Sequence, residues 1–330
     1  METDRRVYLF HGTRIACWCG PAVAAALDTR LGAFPRSTAD GYDLLFEYRS
    51  LASGGPELEP PAGPTRSIYD SPLGEVLYSD AADRIWIGIS DRVRVACDPR
   101  SGHTRISTAD QAGEDLWFVT HPLFTLPLTE VLKRRGLYRV HAAGVALGGR
   151  AVLFPGTSGA GKSTLSLALA KEGFDFLGDD MLFLARREQG LRALAFPEAI
   201  DLTDSTIRLF PELGDLLDQE RPPGWPKRQL RVERRFGAEV AWDCQPVALV
   251  FPRVGGGRHS VFKPMDRVAA LLELAPNILL TEAVSSQAHL DALGALVASC
   301  DCYRLETGSD FSELAARLRE IVQGPTGPSP

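Results

Sequence analysis

The sequence has no run of about 18 uninterrupted apolar residues, the length that a membrane-spanning helix requires. Its opening residues, Met1-Glu2-Thr3-Asp4-Arg5-Arg6, lead into polar-interrupted sequence instead of a signal-peptide core. A cytoplasmic protein with no membrane partner is the expectation. There is no long basic run, and the formal net charge is -6, so nucleic acid and anionic surfaces find no general attraction. The six cysteines fall as Cys17-x-Cys19, Cys97, Cys244 and Cys300-x-Cys302, with no Cys-x-x-Cys pair. That spacing argues against a zinc knuckle, and residues i and i+2 of a strand simply share a face, so buried free thiols are expected.

What is present is ample material for a core. The chain has 330 residues, 45% hydrophobic and 24% charged, enough for one large core or two smaller ones, and a two-part protein is expected. Residues 1–115 read as a strand-rich accessory domain. Short strands are expected at Val7 to Phe10, Arg14 to Trp18, Tyr42 to Tyr48, Glu75 to Tyr78, Arg84 to Ile89 and Arg92 to Cys97, with a helix over Pro21 to Leu31. A proline-rich loop covers Ser53 to Pro64. A helical bridge over Asp115 to Gly136 then opens a second domain, 116–323, and 324–330 reads as a disordered tail.

The second domain contains Gly156-Thr157-Ser158-Gly159-Ala160-Gly161-Lys162-Ser163-Thr164, which fits the phosphate-loop pattern G-x-x-x-x-G-K-[ST] at every fixed position. The pattern needs a strand before it and a helix after it. Arg150 to Pro155 supplies the strand, and Ser163 to Glu172 the helix, ended by Gly173. Glycines let backbone N–H groups close around phosphates, Lys162 reaches the outer phosphates, and Ser163 offers its hydroxyl to Mg2+. ATP is the expected nucleotide. One strand further on, Phe174 to Gly178 runs into the acidic pair Asp179-Asp180. At the carboxyl end of that strand, acids would face the phosphates, one for a metal and the other for an attacking hydroxyl. A solvated turn ahead of Met181 to Leu184 is the alternative.

In order and spacing, His141-Ala142-Ala143-Gly144-Val145-Ala146, the Gly148-Gly149 hairpin, the phosphate loop, one helix and the aspartate pair resemble the HPr serine kinase and phosphorylase family. That family's catalytic core is related to phosphoenolpyruvate carboxykinase. The resemblance spans about Leu116 to Leu280 and implies an α/β phosphate-loop kinase core behind the strand-rich N-terminal domain. By position it implies Asp179 as base on the acceptor hydroxyl, Asp180 as magnesium carboxylate with Ser163, and His141 beside the base, orienting it; core packing is the other reading of a lone histidine. The family's glutamate-arginine-glycine signature is missing, and Ala195 to Leu202 occupies its place. The chain is therefore similar to divergent HPr-kinase-related proteins, some of which accompany ribosomal peptide biosynthesis and phosphorylate a serine of a precursor peptide.

Beyond the acids, a hairpin is expected over Met181 to Leu184 and Leu191 to Phe196, and a helix over Thr203 to Leu217. The proline-rich stretch Asp218 to Arg228 has the character of a lid or partner surface. Lys227, Arg228 and Arg231 are candidate phosphate clamps, or else solvated surface charge. Strands over Val247 to Phe251, Ser260 to Phe262 and Cys302 to Glu306, with helices over Asp266 to Leu274, Thr281 to Ser299 and Phe311 to Val322, complete the expected fold. The sequence reading is an ATP-dependent, Mg2+-dependent kinase acting on a serine-type hydroxyl of a peptide or protein. A small-molecule hydroxyl kinase and a non-catalytic nucleotide-binding regulator or scaffold are the alternatives, and self-association is left open.

Overall fold

The computed structural model describes residues 4–38, 40–51, 59–60, 62–71, 73–109, 116–221, 227–277 and 285–324. These fall into two compact units, one drawn from 4–135 and 220–221, the other from 136–219, 227–277 and 285–324.

The first unit is a sheet of eight strands, β1 (Asp4–Phe10), β2 (Thr13–Cys19), β3 (Leu44–Ser50), β4 (Arg66–Ser71), β5 (Gly74–Ser79), β6 (Ile85–Ile89), β7 (Val93–Asp98) and β8 (His103–Thr108). Their order is β1-β2-β3-β8-β7-β6-β5-β4. Neighbours are antiparallel except β2 with β3 and β3 with β8. The β1–β2 hairpin turns on His11 and Gly12, both left-handed at φ +45° and +89°, as a two-residue turn matching the strand twist requires. Helix α1 (Pro21–Leu31) buries Val23, Ala24, Leu27 and Leu31.

Helices α2 (Leu116–Thr120) and α3 (Pro122–Lys133) belong to this first unit, so the boundary expected after residue 115 lies instead after Arg135. The reason is packing. The buried Arg30 guanidinium donates to the Thr120 carbonyl and to Thr125 Oγ1 (2.9 Å), and the Phe46 and Phe124 rings lie 4.7 Å apart. Pro122 restarts the helix at its first position, where no intrahelical N–H is needed.

The second unit is built on β9 (Leu137–Val140), β10 (Ala142–Leu147), β11 (Arg150–Pro155), β12 (Asp175–Gly178), β13 (Leu182–Arg187), β14 (Gly190–Leu194), β15 (Ile200–Leu202), β16 (Arg228–Leu230), β17 (Asp243–Val254), β18 (Val261–Pro264) and β19 (Asp301–Thr307). Its helices are α4 (Lys162–Lys171), α5 (Asp204–Arg208), α6 (Val232–Phe236), α7 (Arg267–Leu274), α8 (Ser286–Ser299) and α9 (Phe311–Gln323). The twelve-residue β17 is the seam: it pairs with β14 near its start, and runs parallel to both β11 and β19. Alternate residues of β11 feed opposite cores. Val152 and Phe154 pack with Leu165 and Leu169 of α4 and Leu314 and Leu318 of α9. Ala151 and Leu153 pack with Ala270 of α7 and Leu293 and Leu296 of α8. A strand buried on both faces must read as an apolar run, and β11 does.

Two sequence expectations are corrected here. The helix expected over Thr203 to Leu217 is α5 followed by a 3₁₀ turn at Pro211–Leu216, because Pro211 has no N–H to continue the ladder and disfavours helix at the residue before it. The helix expected over Thr281 to Ser299 begins at Ser286, with 281–284 outside the described residues. All six cysteines are free and buried, and burial pushes the Cys97 thiol up to about 12. Among the described residues no helix is long and apolar enough to cross a membrane.

Candidate functional site

The parallel strands β11, β17 and β19 bring their carboxyl ends to one edge of the second unit, where ligands of open α/β sheets collect. The chain leaves β11 there, runs through 156–161 and enters α4 at Lys162. Gly159 and Gly161 are left-handed, at φ +85° and +97°, so a side chain at either would strain the loop. Thr157, Ser158 and Gly159 are exposed, while Gly156, Ala160, Gly161, Ser163 and Thr164 are half-buried. The first N–H groups of α4 have no intrahelical acceptor, which makes this end a ready anion site.

Lys162 is 6% exposed. Its Nζ lies 2.8 Å from the Gly156 carbonyl, 3.2 Å from the Thr157 carbonyl and 3.2 Å from His141 Nε2. Burial pulls its pKa below the ordinary lysine value against the attraction of Asp180 and Asp179, and the charge of Lys227 pulls the same way as burial. Lys227 is therefore felt at the loop.

The two acids have opposite settings. Asp179 is 6% exposed; its Oδ2 accepts from the Ser163 hydroxyl at 2.6 Å, and its buried Oδ1 has no hydrogen-bond partner. Burial, with the charges of Asp180 and Glu198, pushes its pKa up to about 7 against the Ser163 bond and Lys162. Asp180 is exposed, and His141 Nδ1 lies 2.9 Å from its carbonyl and 3.3 Å from its Oδ1. Desolvation opposes ionisation of Asp180, but the His141 contact, Arg139 and Lys162 outweigh it and hold the carboxyl far below the usual range.

Ser163 reaches Asp179, and His141, expected beside Asp179, reaches Asp180 instead. Consecutive residues past a strand end point to opposite sides. Gly178 sets where the chain turns, since a Cβ there would lie 2.9 Å from both the Met181 and the Phe196 carbonyl oxygens. Only glycine allows that approach.

Of the three candidate clamp cations, Arg228 pairs with Asp204 at 2.5 Å and donates to the Leu217 carbonyl at 2.9 Å, and Arg231 pairs with Glu233 at 2.7 Å. Arg228 thereby ties β16 to α5 and to Leu217, while the Arg231 pair is local to the start of α6. Of the stretch expected to form a lid, residues 222–226 lie outside the described residues. Two charged neighbours escaped the sequence reading. Arg139 stands two residues before His141, a spacing that puts both on one face of an extended chain and was there to be read. The buried Glu198 gave no such signal, lying in an aperiodic segment whose Phe196 N–H bonds to the Leu177 carbonyl at 3.0 Å.

Among the described residues no cluster of three His, Cys, Asp or Glu side chains could hold a metal by protein groups alone. Magnesium does not need one, since it takes one or two protein oxygens and completes its shell with phosphate and water. The hydroxyl oxygen of Ser163 and the carboxylate of Asp180 fit that hard-oxygen chemistry.

No protein-family model matches the chain, and no curated protein matches it. Among solved structures, the Hpr(Ser) kinase/phosphatase from Coxiella burnetii is similar at 14% identity, over 56% of this chain and 99% of that one, with a TM-score of 0.29.

Proposed function

We propose that the chain is a magnesium-dependent phosphotransferase that moves the terminal phosphoryl group of ATP to a serine-type hydroxyl of a peptide or protein. One observation carries the reading. At the mouth of the glycine-rich loop that enters α4, two adjacent carboxylates are held in different settings, buried Asp179 by the Ser163 hydroxyl at 2.6 Å and exposed Asp180 by His141 at 3.3 Å, and these settings drive their titrations apart, the first up and the second down. Such a split separates a proton acceptor from a permanent charge.

In this reading the N-terminus of α4 and Lys162 hold the outer phosphates. Ser163 donates its proton to Asp179, which leaves its oxygen lone pairs and the ionised Asp180 for the metal. Magnesium, when bound, offsets phosphate charge. Asp179 takes the proton of the acceptor hydroxyl as the new oxygen–phosphorus bond forms and the bond to the ADP oxygen breaks, and a base titrating near the operating pH suits that task. Lys227, whose charge acts on Lys162, is the cation of the three proposed to steady the transferring group. ADP leaves, and the acceptor departs as a phosphate monoester.

Incubation with γ-labelled ATP, magnesium and serine-containing peptides, with the product located by mass spectrometry, tests the reading. Label should appear on a peptide hydroxyl with the wild type, and Lys162→Ala should lose both nucleotide affinity and transfer. Binding of Mg-ATP with no transfer to any hydroxyl would leave a nucleotide-binding regulator.

A further inference from the structure

His141 sits in the single-residue junction between β9 and β10, with its ring committed on both sides. A carbonyl oxygen only accepts, so Nδ1, 2.9 Å from the Asp180 carbonyl, carries the proton and donates it. In the neutral ring Nε2 is then left as an acceptor, and the ammonium of Lys162 donates to it at 3.2 Å. With the Gly156 and Thr157 carbonyls at 2.8 and 3.2 Å, this accounts for all three ammonium protons. The imidazole also stands between two groups that attract each other, since the charges of Lys162 and Asp180 each act on the other. Asp179, by contrast, is engaged by Ser163.

We infer that His141 is a positioning residue for the phosphate-loop lysine: its Nε2, with the two loop carbonyls, holds the Lys162 ammonium at the mouth of the loop, and its ring keeps that ammonium from collapsing onto the carboxylate of Asp180. The inference rests on reading the loop as the nucleotide site, and it assigns His141 to the nucleotide half of the chemistry instead of the base. A lysine side chain has several rotatable bonds and a strongly hydrated head. Released from Nε2, it swings to the nearest carboxylate, leaves the phosphates and neutralises the acid proposed for the metal. Two binding events, nucleotide and magnesium, therefore weaken together when the imidazole is lost.

Side-chain mimicry separates the two ring nitrogens. Glutamine at 141 places an amide oxygen near the position of Nε2, whereas asparagine reaches only the position of Nδ1. The measurements are ATP affinity by calorimetry with and without magnesium, kcat and KM, and the rate at which Lys162 of the nucleotide-free protein is acylated by acetic anhydride, read by mass spectrometry. His141→Ala and His141→Asn should weaken ATP binding about tenfold or more, the scale of one charged hydrogen bond, and should change the acylation rate of Lys162. His141→Gln should bind ATP within about threefold of the wild type, as an acceptor kept in place implies. Unchanged ATP affinity in His141→Ala alongside a collapse of kcat would overturn the inference and return His141 to the base. Equal losses in all three variants with a lowered unfolding temperature would overturn it in favour of a packing role. Lys162→Ala, measured alongside, keeps the questions apart. If it binds ATP like the wild type, the reading of the loop fails, while the acylation series still reports whether His141 holds Lys162.

Discussion

Replacing Asp179 by asparagine should make the protein more stable and nearly inactive at the same time. The carboxyl titrates at about 7 in the folded chain against an ordinary value of 3.8. Because its folded value is raised, ionised Asp179 opposes folding: the relative stability present below its unfolded value is lost as the pH rises toward 7. At pH 8 the cost is roughly 4 kcal/mol, and at pH 5, where the folded carboxyl is still protonated, roughly half of that. Asparagine keeps an oxygen to accept from Ser163 and never ionises. Asp179→Asn should therefore unfold on the order of 10 °C above the wild type at pH 8 and only a few degrees above it at pH 5, without metal or nucleotide. Its kcat should fall by about 10²–10⁴, the usual contribution of a general base, with ATP affinity nearly unchanged. Thermal unfolding of both proteins at the two pH values, with steady-state kinetics on an acceptor peptide, is the assay. A variant no more stable than the wild type at pH 8 would refute the electrostatic account of the buried acid. A fully active variant would refute its role as base.

Asp180→Asn should raise the magnesium concentration for half-maximal turnover about tenfold by removing a carboxylate held ionised at the mouth of the loop, as a metal titration of kcat will record. Lys227→Ala should slow transfer about tenfold at unchanged unfolding temperature, whereas Arg228→Ala should keep turnover and cost about 1–2 kcal/mol of stability in denaturant unfolding, since Arg228 is tied to Asp204 and the Leu217 carbonyl. In the first unit, Asp28 accepts from Tyr8 Oη at 2.6 Å and Arg6 Nε at 3.1 Å and pairs with Arg36. Desolvation raises its pKa, but these partners together lower it, so its stabilising effect is present above the unfolded carboxylate value and fades as the pH falls through the folded one. Asp28→Asn should cost about 1 kcal/mol at pH 7 and progressively less in acid, as urea unfolding at several pH values can establish.

The parts of the fold that were legible in the sequence are those whose signal is local. β11 and the middle of β17 read as apolar runs because both faces are buried, and the hairpin β13–β14 is bracketed by its own turn. β8 went unread for the opposite reason. Its inward face is Thr104, Ile106 and Thr108, so only one aliphatic marks a strand in the middle of the first sheet. The displaced boundary has a third cause. An apolar helix is compatible with either core, and what assigns α2 and α3 to the first unit is Arg30 reaching Thr120 across 90 residues of chain.

The same distinction runs through the site. The proposed phosphate loop is contiguous, so its glycines, lysine and serine could be read as a unit. Which of two adjacent acids meets that serine could not, because it depends on how the chain turns after β12, and that turn is set by the contact of Gly178 with the carbonyl of Phe196, eighteen residues on. Availability of a cation is likewise a property of its partners. Lys227, Arg228 and Arg231 look alike in sequence, but Asp204 and Glu233 already hold the two arginines. Moving either arginine to a phosphate would break an ion pair that is only partly exposed, leaving a partly desolvated carboxylate behind. Lys227, whose charge already acts on Lys162, can be drawn to a phosphate by relief of that repulsion, and it is therefore the cation proposed as the clamp.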